Sequence, residues 1–400
     1  MKYVIVLGDG MADYSIDELD GKTPLEYAKT PTMDALAVKS EIGLVHTIPD
    51  GMSPGSDTAN LSVVGYDPKI YYSGRSPLEA LSIGVDMKPT DISFRCNIVT
   101  VSDDDLPYEQ KTIIDHSSSE ISTEDAAILL EAVKKELESD LYKFYVGTSY
   151  RHLTIWDKGE VVELTPPHDI LGKTIGEYLP KDQALYDMMK KSYDILNEHP
   201  INVERAKKGL NKANSIWFWG AGTRPALSSF EEKNHKKAAM ISAVDLLKGI
   251  AVGAGMTNIT VEGANGGLHT NYEGKAKAAV KALVEDGFDF VYIHVEAPDE
   301  MGHQGSVERK VQSIEFLDER VIKVVKEGLE NAGVDFRMLV LPDHPTPICI
   351  RTHVNEAVPY MLYDSTDKKD GKYLYNEKDA KASGIYIEKG HTMVDYLFEK

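Results

Sequence analysis

Asp299 and His303 stand four residues apart, a spacing that points two side chains from one face of a helical turn. Carboxylate oxygen and imidazole nitrogen are what a divalent metal takes as ligands. Asp343 and His344 offer the same two groups side by side, and His391 adds an imidazole further along. Asp9, between Gly8 and Gly10, supplies one more carboxylate. Each has an ordinary reading when taken singly: a turn acid, an exposed turn, a capping pair, a lone histidine. Their joint occurrence at the ends of apolar runs describes one shared metal site. Ser56 lies in Pro54-Gly55-Ser56-Asp57-Thr58-Ala59-Asn60 and by itself is a loop serine. Beside a metal it becomes a nucleophile, because coordination activates a hydroxyl that is sluggish at its free pKa. In a two-metal site about 4 Å across, one ion activates the nucleophile and the other holds a substrate phosphate. A helix following Ser56 would aim its free N–H groups at that phosphate.

The elements that position these groups follow from hydrophobic periodicity. Residues 3–7 read as a buried parallel strand running straight into Asp9. Phe290 to Val295 precedes Asp299, and Met338 to Leu341 precedes Asp343. Ligand sites of open α/β sheets gather at such carboxyl strand ends. Further strands are expected at 43–48, 94–101, 215–219, 258–261 and 359–363. Short antiparallel strands are expected at 144–146, 153–156 and 161–164, the last two joined by a hairpin turn at 157–160. Helices are expected at 24–38, 122–137, 183–196, 203–210, 243–252, 274–285 and 306–330, with one more after His391. The chemical residues fall at 9–60 and again at 299–391. The chain between them changes texture at about 86–235. The expected architecture is therefore α/β, a doubly wound and mostly parallel sheet built from 1–85 and 236–400. A smaller α+β cap domain is inserted at 86–235.

Composition narrows the function. The 400 residues are 42% hydrophobic, with 64 acids against 44 bases and a formal charge of −20. That balance argues against nucleic acid, whose phosphates need clustered Lys and Arg. A small anionic substrate remains compatible, because metals and a few arginines dominate a site locally. Two cysteines, Cys96 and Cys349, make no disulfide framework, which suits a cytoplasmic setting. The first apolar run is too short for a signal peptide, and no stretch approaches the ~20 apolar residues of a membrane span. No P-loop is present, which argues against a nucleotide-dependent kinase.

Several segments together resemble a known family. They are Val6-Leu7-Gly8-Asp9-Gly10-Met11-Ala12-Asp13, Gly55-Ser56-Asp57-Thr58-Ala59-Asn60-Leu61, Gly220-Ala221-Gly222-Thr223-Arg224-Pro225 and Lys389-Gly390-His391-Thr392, with Asp299, His303, Asp343 and His344. The chain is similar to the alkaline phosphatase superfamily. Within it, the chain resembles the 2,3-bisphosphoglycerate-independent phosphoglycerate mutases of the shorter branch typical of archaea and some bacteria. The resemblance implies interconversion of 3-phosphoglycerate and 2-phosphoglycerate in glycolysis and gluconeogenesis, with Ser56 forming a phosphoserine. It implies one metal on Asp9, Ser56, Asp343 and His344, and another on Asp299, His303 and His391. Manganese is the ion it points to first, with zinc, cobalt and magnesium as alternatives. A substrate with a phosphate and a carboxylate needs cations, and Arg151, His152, Arg224, Arg95, His116 and Lys248 are the candidates. Two other readings stand beside this one: a phosphatase or different phosphomutase on the same metal core, and a non-catalytic phosphate-binding protein with structural metals.

Overall fold

The computed structural model describes residues 1–367 and 370–399. Its strands in chain order are β1 (Lys2–Gly8), β2 (Ser40–Val45), β3 (Ile92–Val101), β4 (Ile113–Asp115), β5 (Tyr142–Thr148), β6 (Arg151–Trp156), β7 (Ser215–Thr223), β8 (Ala238–Ile241), β9 (Thr257–Asn258), β10 (Phe290–Val295), β11 (Phe336–Leu341), β12 (Val358–Asp364) and β13 (Tyr386–Ile387). The chain divides into two compact units, Met1–Tyr72 with Ala226–Lys400, and Ser73–Pro225.

The first unit is built on an eight-stranded sheet of order β13-β2-β12-β11-β1-β10-β8-β9. Strands β11, β1, β10, β8 and β9 run parallel, while β12 is antiparallel to both its neighbours. Near-continuous apolar strands such as Val4-Ile5-Val6-Leu7 are what a sheet covered on both faces requires. Val4, Val6, Val291, Ile293 and Val295 face one way, into a core with Ala276, Ala279, Leu283, Ile314 and Leu317. Those partners come from the helices Tyr272–Val284 and Val307–Leu317. On the other face the Tyr292 hydroxyl donates to Asn60 Oδ1 (2.6 Å), in the helix Ser56–Val63. Phe290 meets Phe398 of the helix Met393–Glu399 edge-on.

The second unit is an antiparallel sheet. Strand β3 lies between β6 and β7, with β5 beyond β6 and β4 at the far end of β3. The helices Thr123–Leu137 and Gln183–Leu196 contribute Leu129, Leu130, Val133, Leu185 and Met189 to its core, with Phe94, Phe144, Trp217 and Phe218 from the strands.

Four expectations need correction. The units part at 72/73 and 225/226 rather than at 85/86 and 235/236. The helix Arg75–Ser82 belongs to the second unit, where the Ser76 hydroxyl reaches Ser93 and Gly220. Residues 24–38 form two short helices, Pro24–Tyr27 and Pro31–Ala37, because Pro31 forces the chain out of helix and restarts it at N1. Residues 161–164 form no strand; β6 ends at Trp156 and Val161 is exposed, so their alternation reflects an extended loop. The long helix at 307–331 contains a π turn at Asp318–Ile322. There Asp318 leaves the helix surface and accepts from the backbone N–H of Thr32 (3.1 Å) and Met33 (2.6 Å), satisfying the start of the Pro31–Ala37 helix. Among the described residues, no helix is long and apolar enough to cross a membrane.

Candidate metal centre

Because β11, β1 and β10 are adjacent and parallel, their carboxyl ends lie side by side. Asp9 follows β1, Asp343 and His344 follow β11, and Asp299 follows β10 in the helix Ala297–Gln304. Gly10 makes the turn possible. Its φ is +59°, and a Cβ there would meet Asp299 Oδ1 and Thr346 Oγ1 at 2.5 Å. Its N–H donates to Asp343 Oδ1 (3.0 Å), as does that of His344 (3.0 Å), while Asn60 Nδ2 donates to Asp343 Oδ2 (2.8 Å).

Ser56 is the first residue of its helix, and its Oγ lies 3.1 Å from His344 Nε2. That nitrogen is 3.3 Å from Asp343 Oδ2 and 3.6 Å from Asp9 Oδ1. Burial holds His344 below its ordinary imidazole pKa, in the neutral form. The Thr346 hydroxyl spends its proton on Asp299 Oδ1 (2.5 Å), so His344 Nδ1–H donates to Thr346 Oγ1 (3.3 Å), which leaves Nε2 a bare lone pair. Asp9, Ser56, Asp343 and His344 are thus brought together, as expected. Burial first, then the neighbouring charges of Asp343 and Asp299, push the Asp9 carboxyl well above the usual range. Its Oδ1 is buried without a hydrogen-bond partner. An orphaned carboxylate oxygen among bare nitrogens and a second carboxylate fits a divalent cation.

A second group forms around Asp299. His303 Nε2 is 3.1 Å from Asp299 Oδ2 and His353 Nε2 is 3.3 Å from Asp299 Oδ1, with the two nitrogens 3.1 Å apart. His303 Nδ1–H donates to the Arg351 carbonyl (2.9 Å), so Nε2 is the ring nitrogen turned inward toward Asp299. The His353 ring stacks against His344 at 3.9 Å between centroids. His391 is not part of this group. It follows β13 and faces Asp67 at 4.0 Å. His353 takes the position that sequence reasoning gave to His391. It was missed because it sits in an irregular segment rather than at the end of a strand; its nearness in sequence to Asp343 and His344 was the available signal. His353→Ala is expected to weaken divalent-metal binding at the Asp299 group. Metal affinity at this group should fall by roughly 100-fold or more, since a lost ligand costs at least what a lost outer partner does. His391→Ala should leave the metal count unchanged. Elemental analysis of both variants checks this, and the reverse pattern would return the ligand role to His391.

Hydrogen bonding to Asp299 raises the His303 pKa to about 9, while Asp299 is held well below the carboxylate range by its imidazole neighbours. Below pH 9 a metal must therefore displace a proton from His303. Apparent affinity at this group should fall about tenfold per pH unit between pH 8 and 7. Isothermal titration in buffers of different ionisation enthalpy should report about one proton released per ion. Affinity flat across that range would contradict the assignment.

The remaining candidates are less uniform. Lys248 pairs with Asp245 on its own helix surface (3.2 Å). Arg95 is buried, with Nε donating to Glu79 Oε2 (2.8 Å) and its guanidinium over Trp219, so its charge is already matched. His152 is buried, accepts from the Gly147 N–H (3.1 Å), and is held down to about 4 by burial. A cationic role is therefore withdrawn for His152. Arg151 and Arg224 are exposed, at the start of β6 and just past β7. His116 packs edge-on to Tyr150 and to His168, a histidine sequence reasoning did not single out.

Comparison with known proteins agrees with the geometry. A family model described as 2,3-bisphosphoglycerate-independent phosphoglycerate mutase matches residues 37–202. A protein of that name from Methanosarcina barkeri is 48% identical over 404 residues, spanning 99% of each chain. A solved structure of a protein from Pyrococcus horikoshii is 32% identical, with a TM-score of 0.82 over 99% of this chain and 96% of that one. A cofactor-independent phosphoglycerate mutase from Thermoplasma acidophilum is 26% identical, with a TM-score of 0.67 over 99% of both.

Proposed function

Because the chain belongs to the 2,3-bisphosphoglycerate-independent phosphoglycerate mutase family, we propose that it interconverts 3-phosphoglycerate and 2-phosphoglycerate through a phosphoserine at Ser56. It is an isomerase that moves a phosphoryl group within one small anionic molecule. We place this step of glycolysis and gluconeogenesis in the cytoplasm. The observation that carries the reading is Ser56. Its hydroxyl stands at a helix N-terminus, 3.1 Å from a bare imidazole nitrogen and beside two buried carboxylates.

Asp9, Ser56, Asp343 and His344 would hold one divalent ion, and Asp299, His303 and His353 the other, with manganese the ion we expect. When bound, such ions lower the pKa of the serine hydroxyl and neutralise phosphate charge. The chain's own residues do the rest. Ser56 Oγ attacks phosphorus; the Oγ–P bond forms as the bond to the C3 oxygen breaks, and the serine proton ends on that oxygen. The glycerate then presents its C2 hydroxyl to the phosphoserine. That oxygen takes the phosphoryl group, the P–Oγ bond breaks, and the hydroxyl proton returns to Ser56. The helix dipole at Ser56 favours the phosphate in both directions. Arg151, Arg224 and His116 are our candidates for binding the substrate carboxylate, with bidentate arginine suited to it. Lys248 is a weaker candidate because Asp245 already pairs with it.

The test is an assay with 3-phosphoglycerate and manganese that follows 2-phosphoglycerate and free phosphate together, without added bisphosphoglycerate. Formation of 2-phosphoglycerate without phosphate release is the expected result. Accumulating free phosphate would make the protein a phosphatase on the same core.

A further inference from the structure

Among the described residues, His294 is the one histidine inside a strand of the eight-stranded sheet. It is fully buried, and its register partner on β1 is Leu7. Its Nε2 lies 3.0 Å from Asp9 Oδ2, yet the two make no hydrogen bond, because their geometry does not face one another. Two atoms that ligate one ion at about 2.1 Å and at right angles sit about 3 Å apart, and both aim at the ion rather than at each other. His294 Nε2, Asp9 and Asp343 each place a ligand atom within 4.8 Å of the others. Asp9 Oδ1 and His294 Nε2 are both buried and unpartnered.

The other side of the ring is held in place. Nδ1 lies 3.3 Å from Glu296 Oε1 and 3.3 Å from Ser242 Oγ, both able to accept its proton. Glu296 Oε1 also accepts from the Ala243 N–H (3.1 Å), and Oε2 accepts from Lys275 Nζ (3.0 Å). Lys275, fully buried on the helix Tyr272–Val284, donates as well to the carbonyl of His294 itself (2.8 Å). A carboxylate behind the outer nitrogen of a histidine is the arrangement that fixes a metal-binding tautomer. A lysine that neutralises this carboxylate keeps the buried chain from carrying excess negative charge.

We propose that His294 Nε2 is a further ligand of the ion held by Asp9 and Asp343, and that Glu296 and Lys275 are the positioning residues that turn it inward. The inference rests on the metal-dependent reading above. Its test is metal binding by the full chain, stripped with chelator and titrated with manganese alone, then with cobalt alone to read the visible spectrum. Wild type should bind two manganese ions. His294→Asn should weaken one of them by at least 100-fold and change the cobalt spectrum. Glu296→Gln should weaken the same ion by roughly 10-fold while leaving circular dichroism unchanged. Wild-type affinity and an unaltered cobalt spectrum in His294→Asn overturn the proposal. Should that variant fail to fold, the same null result in Glu296→Gln overturns it. Wild type that binds no manganese overturns the metal-dependent reading itself, and this inference with it.

Discussion

Ser56→Ala is expected to lower mutase turnover by roughly 10⁴-fold or more, because it deletes the atom that, in the mechanism we propose, carries the phosphoryl group between its two positions. The substitution removes one oxygen from a site whose remaining ligands are fixed by independent contacts. Asp343 keeps its bonds from Gly10, His344 and Asn60. Asp299 keeps Thr346, His303 and His353. The variant should therefore fold, retain as much bound metal as wild type, and take up no label from ³²P-phosphoglycerate, whereas wild type should trap label on Ser56 after rapid acid quench. Residual turnover above about 1% of wild type would remove Ser56 from the pathway.

The second large effect lies behind the site. Lys310 is fully buried on the helix Val307–Leu317 and donates to Asp13 Oδ2 (2.8 Å), the Thr346 carbonyl (2.9 Å) and the Ala12 carbonyl (3.3 Å). Burial lowers its pKa and Asp13 opposes that. Asp13 also accepts from the Ile348 N–H (3.2 Å), so the pair ties the segment after β1 to the one after β11. Lys310→Met leaves the Asp13 carboxylate buried without its cation. Breaking such a pair from one side costs about 3–5 kcal/mol, and the melting temperature should drop by roughly 4–10 °C. Adding Asp13→Asn should recover part of that loss, since it removes the stranded charge. A shift under about 2 °C for Lys310→Met would mean the network is not what holds these two segments. Thr346, whose carbonyl Lys310 grips, donates its hydroxyl to Asp299, so the loosened variant should also bind manganese more weakly.

The sequence was most informative where one physical rule acted alone. Apolar runs ending in an acid located β1, β10 and β11, and with them Asp9, Asp299, Asp343 and His344. The four-residue spacing of Asp299 and His303 survived because the helix Ala297–Gln304 presents both inward, closed by Gly305 at a left-handed φ of +68°. It misled where a pattern had two explanations. The alternation at 161–164 belongs to extended loop, and the apolar positions across 24–38 hid the break at Pro31. His294 was counted as part of an apolar run because a strand buried on both faces gives no alternation to mark it as special. His353 and His391 are each a lone histidine in the sequence; only the fold brings one of them to Asp299. For the cations, the charge was visible but its partner was not, which is why Arg95 proved to be matched by Glu79.

The central position of β1 has a consequence for biosynthesis. Its partners β10 and β11 pair with it at Tyr3↔Phe290 and Val4↔Met338, so it waits for the last third of the chain. At about 5–20 residues per second, roughly 20–70 s separate the emergence of Asp9 from that of Asp343. Through that interval the nascent chain carries an unpaired apolar strand, Tyr3-Val4-Ile5-Val6-Leu7, a segment for chaperones to shield. Residues 73–225 have all their strands in one contiguous stretch and close first. On the proposed ligand sets, neither metal group is complete before His344 and His353 leave the ribosome, so metal loading has to wait for most of the chain to be made.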